Sequence, residues 1–199
     1  YIRSAEASRS DVTVVEIGGT VGDYQNMMFI EAARVLNLKN PDDVIFILVS
    51  YLPVPSIIGE MKTKPTQRAV RDLNSAGIQP DFIVARSVAA IDAPRRRKLA
   101  TYCNIHEDDV ISAPDIKSIY DVPINFEKDN LGERILKKFG LFGKKKDLLD
   151  WRKMVKKIKE AKKTIDIGIV GKYFSSGDFI LADSYISVIE AIKHAGAAN

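Results

Sequence analysis

Short β-branched runs alternate along the chain with stretches of helical period. Asp11-Val12-Thr13-Val14-Val15-Glu16 reads as a buried strand that ends in a carboxylate. A glycine-rich turn follows, and residues 27–38 then set Phe29, Ala32, Ala33 and Leu36 on one stripe, which predicts a helix. Residues 43–52 contain Val44-Ile45-Phe46-Ile47-Leu48-Val49, the near-continuous apolar pattern of a strand covered by helices on both faces. Pro65 stands where a helix can begin, and Gly77 closes it near Ala76. Residues 81–85 predict a third strand, 95–102 a helix and 110–113 a fourth, short strand. Such alternation predicts an α/β fold, a parallel sheet with flanking helices joined by right-handed crossovers. Ligands of these sheets bind outside the carboxyl ends of the strands, so the loop after each strand is a candidate site.

Beyond Asn130 the texture changes. Gly140, Gly143 and Lys144-Lys145-Lys146 break the apolar period, and Asp150-Trp151-Arg152 opens a lysine-rich helix that reaches about Lys163. Ile165 to Lys172 then predicts a new strand and Tyr185 to His194 a new helix. The expected organisation is a first domain over 1–145, a basic linker helix over 146–163, and the truncated start of a second domain over 164–199. One βα unit is too little to bury a core alone.

Composition narrows the class. Of 199 residues, 46% are hydrophobic and 28% charged, the balance of a soluble globular protein. No apolar run approaches the roughly 20 residues that span a bilayer. Tyr1-Ile2-Arg3-Ser4-Ala5-Glu6 contains no apolar signal region, and the missing initial Met suggests that the true start lies upstream. A single cysteine, Cys103, excludes an internal disulfide and a cysteine-based zinc site, and reads as a small buried hydrophobe. The expected setting is cytoplasmic. The net charge of +4 is concentrated, since residues 134–163 hold 13 of the basic residues against 3 acidic ones. That run reads as a solvated helix face or linker, so neither nucleic acid nor membrane is an expected partner.

Three segments carry candidate chemistry. In Glu16-Ile17-Gly18-Gly19-Thr20-Val21-Gly22-Asp23, a carboxylate at a strand's carboxyl end precedes glycines that let backbone approach a ligand. Glu16 suits Mg²⁺, which takes one or two carboxylates plus phosphate oxygens; a tight turn with Asp23 as a cap is the plainer alternative. In Gly59-Glu60-Met61-Lys62-Thr63-Lys64-Pro65-Thr66-Gln67, two lysines stand beside a helix N-terminus, an arrangement suited to polyphosphate. A capped surface helix with solvated lysines is the alternative there. Arg95-Arg96-Arg97-Lys98 spreads around a helix, and Arg95 and Arg96 read as a solvated basic face. Pro114-Asp115-Ile116 follows the fourth strand, where Asp115 could accept from an adenine or ribose, or cap the next helix. His106 and His194 have no partner at metal-ligand spacing. The catalysis on offer is electrostatic, with cations and Mg²⁺ around a transferring phosphoryl group.

Taken together these segments resemble the CTP synthase family. The likeness runs through Val15 to Asp23, Gly59 to Gln67, Gly77 to Asp81, Tyr102 to Asn104, Ser118 to Pro123, Ile169 to Tyr173 and Ser187 to His194. Lys-Thr-Lys-Pro-Thr-Gln is its most specific string. The resemblance implies a P-loop NTPase-like synthetase domain followed by the first βα unit of a class I glutamine amidotransferase domain. The implied activity is that of a ligase. ATP phosphorylates UTP at O4, and ammonia from glutamine displaces the phosphate to give CTP.

By the same resemblance Glu16 is the Mg²⁺ ligand, and Lys62 and Lys64 are catalytic. UTP and the feedback inhibitor CTP contact Asp23, Tyr24, Gln25, Lys62, Thr63, Lys64, Pro65, Thr66, Gln67 and Lys98. ATP is read by Pro114, Asp115 and Ile116. GTP activation and a homotetramer are also implied. Two features depart from the family: Gln25 stands where an acidic residue is common, and no Gly-x-x-x-x-Gly-Lys-[Ser/Thr] loop occurs in the chain. The fragment alone is therefore expected to be inactive. A dethiobiotin-synthetase-like ligase and a non-catalytic nucleotide-binding or assembly module are the competing readings.

Overall fold

The computed structural model describes residues 10–143, 148–161, 163–172, 174–176, 179–180 and 184–198. The Lys144-Lys145-Lys146 run, Tyr1 to Glu6, and Tyr173 lie outside the described residues. The chain divides into two compact units, Tyr1–Lys145 and Lys146–Asn199.

The first unit is built on three parallel strands, β1 (Ile47–Tyr51), β2 (Phe82–Ser87) and β3 (Val110–Pro114), in the order β1-β2-β3. Val49 pairs with Val84, and Val84 with Ile111. Helix α1 (Met27–Lys39) precedes β1, α2 (Lys64–Ser75) links β1 to β2, and α3 (Ala93–Cys103) links β2 to β3. Two short helices follow, α4 (Val122–Phe126) and α5 (Leu131–Lys138).

Alternation along β2 builds two cores. Ile83 and Ala85 pack with Leu52, Val70, Leu99 and Cys103, while Phe82 and Val84 pack with Ile111 and Leu131. Successive side chains of a strand point to opposite faces, and here both faces are covered. The structure thus gives the doubly covered role to β2. The predicted candidate, β1, is an edge strand in which Leu48 is buried while Ile47, Val49 and Tyr51 are exposed. An apolar run reports that a strand is apolar, whereas its place in the sheet decides how many faces are covered.

Helix punctuation matches the sequence. Pro65 occupies the first turn of α2, where its missing N–H costs nothing. Gly77 ends that helix at φ 78°, and a Cβ there would meet Arg34 Cδ at 2.8 Å. The Asp92 side chain accepts the Arg95 N–H at 3.0 Å and caps α3.

Two predicted strands are not strands. Residues 12–18 have no regular structure and remain exposed, with Val14 at 91%. Residues 165–170 behave likewise, and Val170 is fully exposed. An extended segment is held by a neighbour that takes its N–H and C=O groups. Among the described residues neither segment belongs to a sheet.

The second unit contains α6 (Leu149–Glu160), a two-stranded antiparallel pair of β4 (Ser175–Ser176) and β5 (Phe179–Ile180), and α7 (Ile186–Ala198). No helix among the described residues is long and apolar enough to cross a membrane.

Candidate functional site

The chain leaves the carboxyl end of β1 and loops back before entering α2. Leu52 N–H donates to Arg86 O at 2.7 Å and Ser87 Oγ donates to Leu52 O at 2.8 Å, which anchors the start of the loop on β2. The Lys62 N–H then donates to Pro53 O at 2.9 Å and closes the loop on itself. From Glu60 to Lys64 burial alternates residue by residue: Met61 and Thr63 are buried, and Glu60, Lys62 and Lys64 reach solvent.

Buried contacts fix the first turn of α2 beneath those lysines. Thr66 Oγ1 lies 2.9 Å from Ser50 Oγ and ties the helix to β1. Gln67 Nε2 donates to Thr63 Oγ1 at 3.0 Å. Thr66 and Gln67 are both fully buried, and Gln67 Oε1 has no hydrogen-bond partner among the described residues. Thr63 makes no side-chain cap to the helix, so its first-turn N–H groups take no bond from that hydroxyl.

A hollow of about 380 Å³ opens above this turn. Its walls are Glu60, Met61, Lys62, Thr63 and Lys64 on one side and Pro94, Arg95 and Lys98 of α3 on the other. Lys98 lies three residues beyond Arg95 and so shares its face of the helix. Four cationic side chains thus meet one carboxylate around a single opening. Such a field suits a multiply charged anion, with lysines acting as mobile point charges.

Arg95 is not the solvated residue that the sequence suggests. Its Nε donates to Met61 O at 3.0 Å, one terminal nitrogen lies 3.3 Å from Glu60, and the other pairs with Asp92. Arg96 is likewise engaged, donating to Val110 O and pairing with Asp129 at 3.2 Å. Asp92 is a local partner of Arg95, but Met61, Glu60, Val110 and Asp129 are distant in sequence and only the fold brings them near. Glu60 pairs with Lys62 at 2.6 Å, and that hydrogen-bonded ammonium, then its charge, hold the Glu60 carboxyl below its ordinary range.

The other predicted residues are placed separately. Glu16 stands on the exposed segment before the glycine turn and is not part of the hollow's wall. Asp23 Oδ2 accepts the Thr20 N–H at 2.8 Å, so its carboxylate braces the turn. Gly19 sits in that turn at φ 85°, where a Cβ would lie 2.7 Å from Asn26 Nδ2. Tyr24 and Gln25 form the exposed start of a 3₁₀ turn over Tyr24–Asn26. Pro114 ends β3, the Asp115 N–H donates to Ser87 O at 2.8 Å, and the Asp115 carboxylate faces Arg86 at 3.9 Å. Asp115 therefore does not cap a helix; Ser118 caps the next turn. Because the sheet is parallel, Pro114 to Ile116 and the lysine hollow lie along the same carboxyl edge.

Among the described residues no three His, Cys, Asp or Glu side chains gather as a metal cage. Glu16 offers one open carboxylate. That fits a cation such as Mg²⁺ whose remaining ligands are phosphate oxygens and water.

Residues 1–141 match the family described as CTP synthase N-terminus. The chain belongs to the CTP synthase family. The CTP synthase of Thermococcus gammatolerans is 47% identical over 190 residues, covering 95% of this chain and 35% of the relative. That of Pyrococcus abyssi is 45% identical over 199 residues, covering 99% and 36%. For Carboxydothermus hydrogenoformans the identity is 44% over 196 residues, covering 98% and 36%. The chain spans about a third of the length of the curated relatives it matches. The string Lys62 to Gln67 splits in two physically: its lysines line the hollow, and Thr66 and Gln67 are buried in the first turn of α2.

Sequence reasoning missed Glu60 and Arg95 as parts of this wall. A usable signal for Glu60 was present, because polar and less polar residues alternate through Glu60-Met61-Lys62-Thr63-Lys64. No comparable signal exists for Arg95.

Proposed function

We propose that this chain carries nucleotide-binding machinery of a CTP synthase, the ligase that converts UTP to CTP at the expense of ATP with ammonia drawn from glutamine. The observation that carries this reading is the hollow at the sheet's carboxyl edge, where Lys62, Lys64 and Lys98 converge in a member of that family.

Lys62 and Lys64 neutralise the UTP triphosphate and the charge that develops as a phosphoryl group moves to the uracil O4. Lys98 closes the opposite wall, and Thr66 and Gln67 keep the lysines in place from below. Pro114 to Ile116 take the adenine of ATP at the neighbouring strand end, and Asp23 to Gln25 contact CTP when it binds as inhibitor. Glu16 holds Mg²⁺, which when bound supplies charge neutralisation for the transferring phosphate. Ammonia displaces phosphate from the activated ring. Residues 1–145 form part of a P-loop NTPase-like synthetase domain, 146–163 a basic linker that contains α6, and 164–199 the opening of a class I glutamine amidotransferase domain. In the full-length protein we expect a homotetramer that GTP activates.

Calorimetric titration of the full-length protein with UTP tests the reading. Lys64→Ala removes one charged partner of the triphosphate and should weaken binding about tenfold to a hundredfold. Equal affinity in the two proteins would remove Lys64 from the site.

A further inference from the structure

The hollow contains an anion of its own. Glu60 Oε2 lies 2.6 Å from Lys62 Nζ, and Glu60 Oε1 lies 3.3 Å from the Arg95 guanidinium. We propose that Glu60, fastened by Arg95, is an internal competitor for Lys62 that an incoming polyphosphate must displace, so that it sets how tightly and how long the site holds its ligand. This inference rests on the reading of the hollow as a phosphate site.

Geometry distinguishes this pair from an ordinary surface bridge. The two residues are separated by one position in a stretch outside any helix, and they share a face because Met61 between them is buried. Both belong to the wall of the hollow, so the bond occupies the space that an anion's oxygens would take. The Glu60 side chain is 53% exposed, so water can serve it once Lys62 leaves. The contact is therefore displaceable, in contrast to a buried pair whose rupture strands a charge.

Arg95 has a different part. Its three donor directions are taken by Met61 O, Glu60 and Asp92, which leaves it little to offer a ligand. It acts as a positioning residue that keeps the carboxylate within reach of Lys62 after the phosphate departs. Lys64 and Lys98 are held by no acidic partner in the hollow's wall other than Glu60, with which neither pairs. An arriving phosphate can engage them first and exchange with Glu60 for Lys62 second.

The test is a double-mutant cycle in the full-length protein, with inorganic tripolyphosphate and then UTP as titrants. Glu60→Gln keeps the shape and removes the competing charge, so affinity should rise about twofold to fivefold, the worth of an exposed ion pair. In a Lys62→Met background the same substitution should give no gain, because the contested ammonium is absent. A general loss of negative charge near the site would raise affinity in both backgrounds, and that result would overturn the proposal. So would unchanged affinity in Glu60→Gln alone. Lys64→Ala serves as the separate control: if it and Lys62→Met both bind tripolyphosphate as well as wild type, the phosphate-site reading itself fails, whatever Glu60 does. Circular dichroism of each variant verifies that the fold persists.

Discussion

Cys103, the only thiol, ends α3 on its sheet-facing side, packs with Leu52, Val70 and Ile83, and is 1% exposed. Burial pushes its pKa up to about 11 from an ordinary 9.0. A thiol that is neutral and covered is a poor nucleophile, so a thiol reagent at neutral pH should label it only when the chain unfolds. The linkage sign is fixed by the same shift. The unfolded thiol loses its proton at lower pH than the folded one, so its contribution to stability is whole below pH 9.0 and is lost as pH rises through about 11. Denaturant midpoints across that window should fall more for wild type than for Cys103→Val. An equal fall in both would assign the pH dependence to other groups. Lys62 and Glu60 illustrate the opposite case, side chains whose value lies in being reachable.

At the scale of elements, caps and registers carry the site. Asp92 both caps α3 and takes one arm of Arg95, so it couples the helix start to the wall of the hollow. Replacing a cap of this kind costs about 0.5–2 kcal/mol. Asp92→Ala should lower the urea midpoint by a corresponding amount and also weaken UTP binding, because Lys98 rides on the same helix. Unchanged stability would mean that the helix start is held by other bonds. Elements with local causes were legible in the sequence: α2 from Pro65 and Gly77, β2 and β3 from their β-branched runs, and α1 from its helical period, although Phe29 and Ala32 of its expected stripe are exposed and Ile30 is the residue it buries. The lysine wall was legible as well, because two cations beside a helix start need only local geometry. What escaped were matters of partnership. Residues 11–16 have strand composition, yet a strand exists only beside another, and the sequence of a segment does not name its neighbour. Arg95 and Arg96 looked solvated because Glu60, Val110 and Asp129 lie at least 14 positions away in the chain.

At the scale of the molecule, the candidate residues divide into a framed group and an open one. Lys62, Lys64 and Lys98 stand on elements fastened to the sheet, whereas Glu16 stands on an exposed segment outside it. Substituting an exposed residue without packing contacts shifts stability by about 0.5 kcal/mol or less. Glu16→Ala in the full-length protein should therefore leave the thermal midpoint in place while abolishing Mg²⁺-dependent turnover with supplied ammonia. Undiminished turnover would count decisively against its assignment. Charge is also divided along the sequence, with the basic excess gathered in residues 134–163.

The hydrogen bond from Lys62 N–H to Pro53 O has a consequence for how this loop can change. It pinches residues 54–61 into a ring whose neck is fixed, while Ile57 at the tip is 99% exposed. Glu60 and Met61 at one side of the neck belong to the wall of the hollow, whereas the tip around Ile57 stands beyond them and meets that wall only through the neck. The tip can be lengthened, tagged or recoloured by drift, and the lysine at the neck keeps its station.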